Sequence, residues 1–306
     1  MFEYCNLWFE FDNLRLRKGF YICGMSNTFT IGGDLTVHRM GYGAMRITGD
    51  GIWGPPKDHD QAIRVLQRAA ELGVDFIDTA DSYGPKVSES LIAEALYPYS
   101  EGLVIATKGG LTRPGPSQWH QDGSAKHLRE ALEGSLDRLK VDQIDLYQLH
   151  RIDAKVPFEE TMSFLQDAQE NGFIRHVGLS EVSVAEIQAA EKYVKIVSVQ
   201  NKYSVDYRHW EAELKYTAAH GIAFIPWYPL NAGNVEAIHV LKEVAKELEA
   251  SPNQVALAWL YHHSPNILLI PGTSKVAHLE ENLGAVHLKL NANQLERLNA
   301  LSAVKK

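Results

Sequence analysis

Eight short apolar runs alternate with helical patterns along this chain, and that alternation constrains the fold more than any other feature. The strand candidates are Arg39 to Tyr42, Val74 to Ile77, Leu103 to Thr107, Ile144 to Leu149, Ile174 to Leu179, Ile196 to Val199, Ile222 to Ile225 and Ile267 to Ile270. Runs this short and this apolar are expected of parallel strands buried on both faces. Between them, stretches such as Gln61 to Leu72, Ala125 to Leu139, Pro157 to Asn171, Val184 to Tyr193, Val235 to Ala250 and Ser251 to His262 carry apolar residues at helical spacing. Gly73, Gly172 and Gly221 each follow a helical stretch and precede a strand, where a left-handed cap is expected. The pattern predicts an α/β fold, a closed (β/α)8 TIM barrel ending in an extra helix. Thr28 to Ile31, Gly32-Gly33 and Asp34 to Val37 read as a hairpin with a two-residue turn, suited to plug one end of the barrel. The alternative, a doubly wound open sheet, needs a glycine where Gly41-Tyr42-Gly43 leads to Arg46.

One barrel domain is predicted over residues 25–306. Residues 1–24 interleave Phe2, Tyr4, Leu7, Trp8, Phe9 and Phe11 with acids, then turn basic at Arg15 to Lys18. That order is wrong for a secretory signal. The segment reads as an extension outside the fold: an upstream translated piece with Met25 as the natural start, an appended docking segment, or a surface helix. A net charge of −8 argues against a general nucleic-acid binder, which needs a basic face. Only Cys5 and Cys23 are present, so a disulfide framework is excluded and the cytoplasm is the expected compartment. No His/Cys spacing suits zinc. No run approaches the ~20 apolar residues needed to span a bilayer.

Four polar residues sit at or just beyond the carboxyl ends of the second, third and fourth runs: Asp78, Tyr83, Lys108 and His150. In a closed barrel these ends converge on one mouth. A tyrosine is a poor acid near neutral pH, since its ordinary pKa is about 10. A nearby ammonium lowers that value, and a carboxylate holds the ammonium in place. Lys108 and Asp78 supply that pair. The His150 imidazole is then expected to polarise the carbonyl oxygen that Tyr83 protonates. A hydride source is still missing, because no side chain provides one.

The run Gly73-Val74-Asp75-Phe76-Ile77-Asp78-Thr79-Ala80-Asp81-Ser82-Tyr83-Gly84 closely resembles the signature of the aldo-keto reductase family. So do Ala106-Thr107-Lys108, Asp145 to Arg151, Ile174 to Ser180, and Ile270 to Lys275 with Glu281-Asn282. These motifs fall in family order from about Phe29 to about Ser302 and look most like the bacterial, NADP-dependent members. The resemblance implies a tetrad of Asp78, Tyr83, Lys108 and His150, with NADPH lying across the barrel mouth. It places Ser180 and Gln200 at the nicotinamide carboxamide, Trp227 on the nicotinamide ring, and Tyr228, Pro229, Leu230, Asn231, Gly233 and Asn234 around the pyrophosphate. Gly43, Met45, Gly272 and Thr273 complete the cofactor cleft. Ser274 and Lys275 fit an adenosine 2′-phosphate, which wants positive charge and hydroxyl donors; His278, Glu281 and Asn282 flank the adenine end.

Two positions depart from the family pattern. Glu181 stands where Asn is usual, bringing a carboxylate near the ring, and His278 stands where many relatives carry Arg. On the substrate side, Arg46, Trp53, Trp119, His120 and Arg151 are the expected walls, the tryptophans as an aromatic lining and the arginines as receivers of an anionic group. The implied activity is reduction of a small-molecule aldehyde or ketone, such as a vitamin B6 aldehyde, by a monomer or weak homo-oligomer. Three alternatives are a slow cofactor-binding regulatory subunit, a Schiff-base aldolase built on Lys108, and a glycosidase using Asp78 and Glu181.

Overall fold

The computed structural model describes residues 26–230 and 238–301. Strands β3 (Tyr42–Gly43), β4 (Phe76–Asp78), β5 (Val104–Gly109), β8 (Ile144–Leu149), β9 (Ile174–Ser180), β10 (Ile196–Gln200) and β11 (Ala223–Phe224) form one parallel sheet in that spatial order. The eighth run joins it by parallel bridges from Ile267 to Phe224 and from Leu269 to Met40, which close the barrel. Beside that closure, Gly43 and Gly272 pack backbone on backbone. A Cβ on Gly43 would lie 2.5 Å from Ile270 O, and one on Gly272 would lie 2.7 Å from Gly43 O.

The helices are α1 (His59–Glu71), α2 (Val87–Leu96), α3 (Ala125–Leu139), α4 (Phe158–Glu170), α5 (Val184–Ala190), α6 (Glu211–Ala219), α7 (His239–Glu247), α8 (Pro252–His263), α9 (Val276–Gly284) and α10 (Ala292–Asn299). Gly73, Gly172 and Gly221 are left-handed as expected, with φ of +81°, +80° and +67°. Of the helix expected over Val235 to Ala250, α7 covers His239–Glu247 and Ile238 is its N-cap; residues 231–237 are outside the described set. Residues 1–25 are too, so the expectation for the 1–24 extension falls beyond the described structure.

The hairpin pairs β1 (Thr28–Ile31) with β2 (Leu35–His38), but Ile31 faces Leu35 across a three-residue loop rather than two. Asp34 closes that loop and holds Arg175 at 2.8 Å and His176 at 2.6 Å. Ile31, Leu35 and Val37 form an apolar plug with Phe76, Val104, Ala106, Leu146, Leu268 and Ile270. One end of the barrel interior is therefore filled with hydrocarbon, and polar groups are confined to the other.

Candidate active site

Strand alternation explains how the polar groups reach one place. Side chains two apart on a strand share a face. Val104 and Ala106 belong to the apolar plug, and Lys108 is the next position on their face; Leu146 likewise leads to Gln148 and His150. The interior thus changes from apolar to polar toward the carboxyl ends of the strands.

Lys108 is fully buried and donates from Nζ to Asp78 Oδ1 at 2.7 Å and to Thr79 O at 2.8 Å, with the Tyr83 hydroxyl at 3.4 Å. Asp78 Oδ2 accepts from Gln148 Nε2 at 3.0 Å and from Gln200 Nε2 at 2.8 Å. Both carboxylate oxygens are thus satisfied, as a buried charge requires. Tyr83 and His150 stand edge to face, 5.8 Å apart between ring centres. His150 Nδ1 lies 3.3 Å from Ser82 Oγ, leaving Nε2 as the ring nitrogen available to a carbonyl oxygen.

Burial sets the protonation of this group. It pushes the Tyr83 phenol above 10 and outweighs the lowering effect of Lys108, so the expected depression by the ammonium is overridden. For Lys108, burial alone would lower the pKa, but Asp78 and Tyr83 raise it overall. Burial, helped by Lys108, Arg151 and Arg113, holds His150 well below 6.5, so the imidazole is neutral at pH 7. The site holds a protonated phenol and a neutral imidazole side by side. With its pKa raised by Asp78 and Tyr83, Lys108 is charged at neutral pH, which disfavours a Schiff base. Asp78 is committed inside the barrel, which argues equally against a glycosidase pair.

These groups open into a cleft of about 790 Å³, lined by Asp78, Tyr83, His150, Ser180, Gln200 and Trp227 among others. Gly43, Met45, Arg46, Trp119, Arg151, Tyr228, Pro229, Leu230 and Gly272 also line it. Asn231, Gly233 and Asn234 lie outside the described residues. Two expected substrate walls, Trp53 and His120, do not line the cleft. His120 is on β7 (His120–Gln121), which pairs with β6 (Leu111–Thr112). The pleat turns Leu111 and Gln121 into the cleft and the opposed Thr112 and His120 away from it. Trp53 bridges the backbone at Gly84, and its neighbour Ile52 lines the cleft instead.

Three polar residues already have partners inside the protein. Gln200 Nε2 donates to Asp78 Oδ2 at 2.8 Å and to Gln148 Oε1 at 3.4 Å, so any contact with a carboxamide falls to its Oε1. Ser180 Oγ donates to Gln200 O at 2.8 Å and accepts from Arg151 Nη1 at 2.9 Å. Glu181 is not a loose charge beside the ring: its Oε1 accepts from Trp227 Nε1 and from Lys202 N, both at 2.6 Å. The carboxylate therefore holds the indole, from a left-handed backbone at φ +56°. Beyond Gly272, Thr273 is buried, and Ser274, Lys275 and His278 are exposed at the start of α9. Lys275 is the first residue before that helix, which has no side-chain cap. Glu281 accepts from Ser251 Oγ, and Asn282 is buried.

Sequence reasoning missed Gln148, Ile52, Leu111, Ser117, Gln121 and Arg113. Gln148 was detectable, since it sits two residues before His150 and must share its face. Arg113 left no local signal, because its partners come from three separate loops.

Both the fold and this site match known proteins. A profile of the aldo/keto reductase family matches residues 39–303, and the chain belongs to that family of oxidoreductases acting on carbonyl groups. It is 53% identical over 268 residues to an uncharacterized oxidoreductase of Schizosaccharomyces pombe, covering 87% of each chain. It is 43% identical over 283 residues to pyridoxine 4-dehydrogenase of Escherichia coli, covering 90% of this chain and 99% of that one. Among solved structures, the holo form of an aldo-keto reductase from Bacillus halodurans superposes with a TM-score of 0.77 at 26% identity, covering 92% of this chain and 98% of that one. Among the described residues no helix is long and apolar enough to cross a membrane, and no cluster of residues suits a metal ion.

Proposed function

We propose that this protein reduces an aldehyde or ketone to the alcohol, with Tyr83 as proton donor and NADPH as the hydride source. The arrangement of Tyr83, Lys108, Asp78 and His150 at the cleft floor carries the reading. His150 orients and polarises the carbonyl oxygen through Nε2, and Tyr83 delivers the proton to it. Lys108 donates to the phenol oxygen and stabilises the phenolate left when Tyr83 gives its proton to the carbonyl oxygen, while Asp78 anchors Lys108.

The residues present fit the cofactor. Gly43 and Gly272 line the cleft, Trp227 is clamped by Glu181 for stacking, and Lys275 supplies a cation beside an uncapped helix start. NADPH, when bound, supplies the hydride. The likeness to pyridoxine 4-dehydrogenase supports a heteroaromatic aldehyde such as pyridoxal as substrate, and Arg46 at the exposed lip suits an anionic substituent. The cysteine usage supports a cytoplasmic location, and the chain is read as a monomer or weak homo-oligomer.

The test is NADPH consumption with pyridoxal and a panel of aromatic and aliphatic aldehydes. Turnover with none of them, although NADPH binds, would favour a regulatory cofactor-binding subunit. Two variants address the cofactor. Lys275→Ala is expected to raise the NADPH KM by roughly ten- to a hundredfold, the worth of one charge-assisted phosphate contact, and to leave the NADH KM unchanged. An equal effect on both cofactors sinks the 2′-phosphate assignment. Glu181→Ala is expected to weaken NADPH binding about tenfold by freeing the indole, measured by tryptophan fluorescence titration. An unchanged Kd means the Glu181 clamp on Trp227 is irrelevant to binding.

A further inference from the structure

We propose that Arg113 is a positioning residue that fixes Trp119 as the aromatic wall of the substrate cleft and so sets a preference for planar aromatic aldehydes. The proposal rests on the carbonyl-reductase reading above and adds to it what selects the substrate.

Arg113 is a buried arginine whose fork is spent on three backbone carbonyls from three loops. Nη2 donates to Gly51 O at 2.9 Å, Nη1 to Ser82 O at 2.9 Å, and Nε to Gln118 O at 2.7 Å. The first loop follows barrel strand one, the second carries Tyr83, and the third carries Trp119. Gly51 O also accepts from Ser117 N at 2.9 Å, so the first and third loops are joined directly as well. Only a planar, rigid donor set can serve three acceptors in this way; a lysine ammonium offers no such fork.

The same guanidinium lies 3.6 Å from the centre of the Trp119 ring, close enough for a face-on cation–π contact. One face of the indole is thus occupied, and the ring stands edge-on to Tyr83 and tilted to His150, 6.3 Å from each. Trp119 is 37% exposed and lines the cleft, whereas Arg113 lies behind it. An exposed tryptophan on a loop would ordinarily sample several rotamers. Stacked on an immobile guanidinium it becomes a fixed plane beside the proton donor. A flat aromatic substrate gains from a pre-ordered plane, and a small aliphatic aldehyde has little surface to press on it.

The test is steady-state kinetics with NADPH, pyridine-4-carboxaldehyde and propanal, for wild type, Arg113→Lys, Trp119→Leu and the double variant. Arg113→Lys is expected to lower kcat/KM for the aromatic aldehyde by twentyfold or more, chiefly through KM, and for propanal by no more than threefold, with the NADPH Kd unchanged. Trp119→Leu should lose the same selectivity, and the double variant should lose no more than either single one, because both changes remove one device. Equal losses for the two aldehydes in Arg113→Lys, or additive losses in the double variant, would overturn the proposal. Should Arg113→Lys fail to fold, Trp119→Leu decides alone: an aromatic-to-aliphatic ratio like that of wild type refutes it. If wild type reduces neither aldehyde, the carbonyl-reductase reading has failed. If wild type reduces both without preference, only the Arg113 proposal has.

Discussion

Replacing Tyr83 with phenylalanine is expected to lower kcat for aldehyde reduction by roughly 10²–10⁴-fold, the usual worth of one positioned general acid. The substitution keeps the ring that meets Trp119 and His150 edge-on, so the cleft keeps its shape. It also leaves Lys108 bound to Asp78 and Thr79 O, so no buried charge is orphaned. The NADPH Kd and the melting temperature should therefore stay close to wild type, and the loss should fall on the chemical step. If Tyr83→Phe and wild type consume NADPH equally across an aldehyde panel, Tyr83 is not the proton donor. The pH profile offers an independent check. Burial raises the Tyr83 pKa above its ordinary value of about 10, so the acid stays protonated through neutral and mildly alkaline pH. Burial and three neighbouring cations hold His150 well below 6.5, so its neutral form dominates over the same window. Wild-type reduction should thus be flat from about pH 6.5 to 9. A midpoint inside that window would show that a different group governs the rate.

How much of this site was legible in the sequence depends on how each residue gets its position. Asp78, Lys108 and His150 are set by strand ends, and strand ends are readable because apolar runs and the alternation of side chains are local properties. The same logic located the helices around β8 nearly to the residue, with α3 spanning Ala125 to Leu139 as expected. Positions set by loops were not readable. His120 and Gln121 swap roles because a two-residue pairing with Leu111 and Thr112 fixes which of them faces inward. Glu181 reads as a disturbing charge until Trp227 and Lys202, 46 and 21 residues away, are seen to bond it. The ammonium-lowered phenol was a sound local inference, but it priced Lys108 and ignored the burial that the closed barrel imposes on Tyr83. Contacts between neighbours in sequence can be reasoned from type and spacing. Desolvation and long-range hydrogen bonds require the closed fold.

Removing Lys108 separates stability from catalysis in the same site. Lys108→Met deletes the ammonium but leaves Asp78 buried, 2% exposed, with only the amide donors of Gln148 and Gln200. An orphaned buried charge typically costs about 3–5 kcal/mol. For a domain of this size that corresponds to a fall in Tm of roughly 5–15 °C. Reductase activity should fall at least as far as in Tyr83→Phe, since the phenol loses its anchor as well as its electrostatic partner. Adding Asp78→Asn removes the stranded charge, and the double variant should recover most of the lost Tm by thermal melt without recovering activity. The pH dependence has a definite sign. Lys108 has a folded pKa above its unfolded one, so its contribution is complete below the ordinary lysine range and is lost only as pH rises through the folded value. The Tm gap between wild type and Lys108→Met should therefore be constant from about pH 6 to 9 and narrow only above about 10. A double variant no more stable than Lys108→Met would mean that the ammonium holds the fold through its contact with Thr79 O rather than by neutralising Asp78.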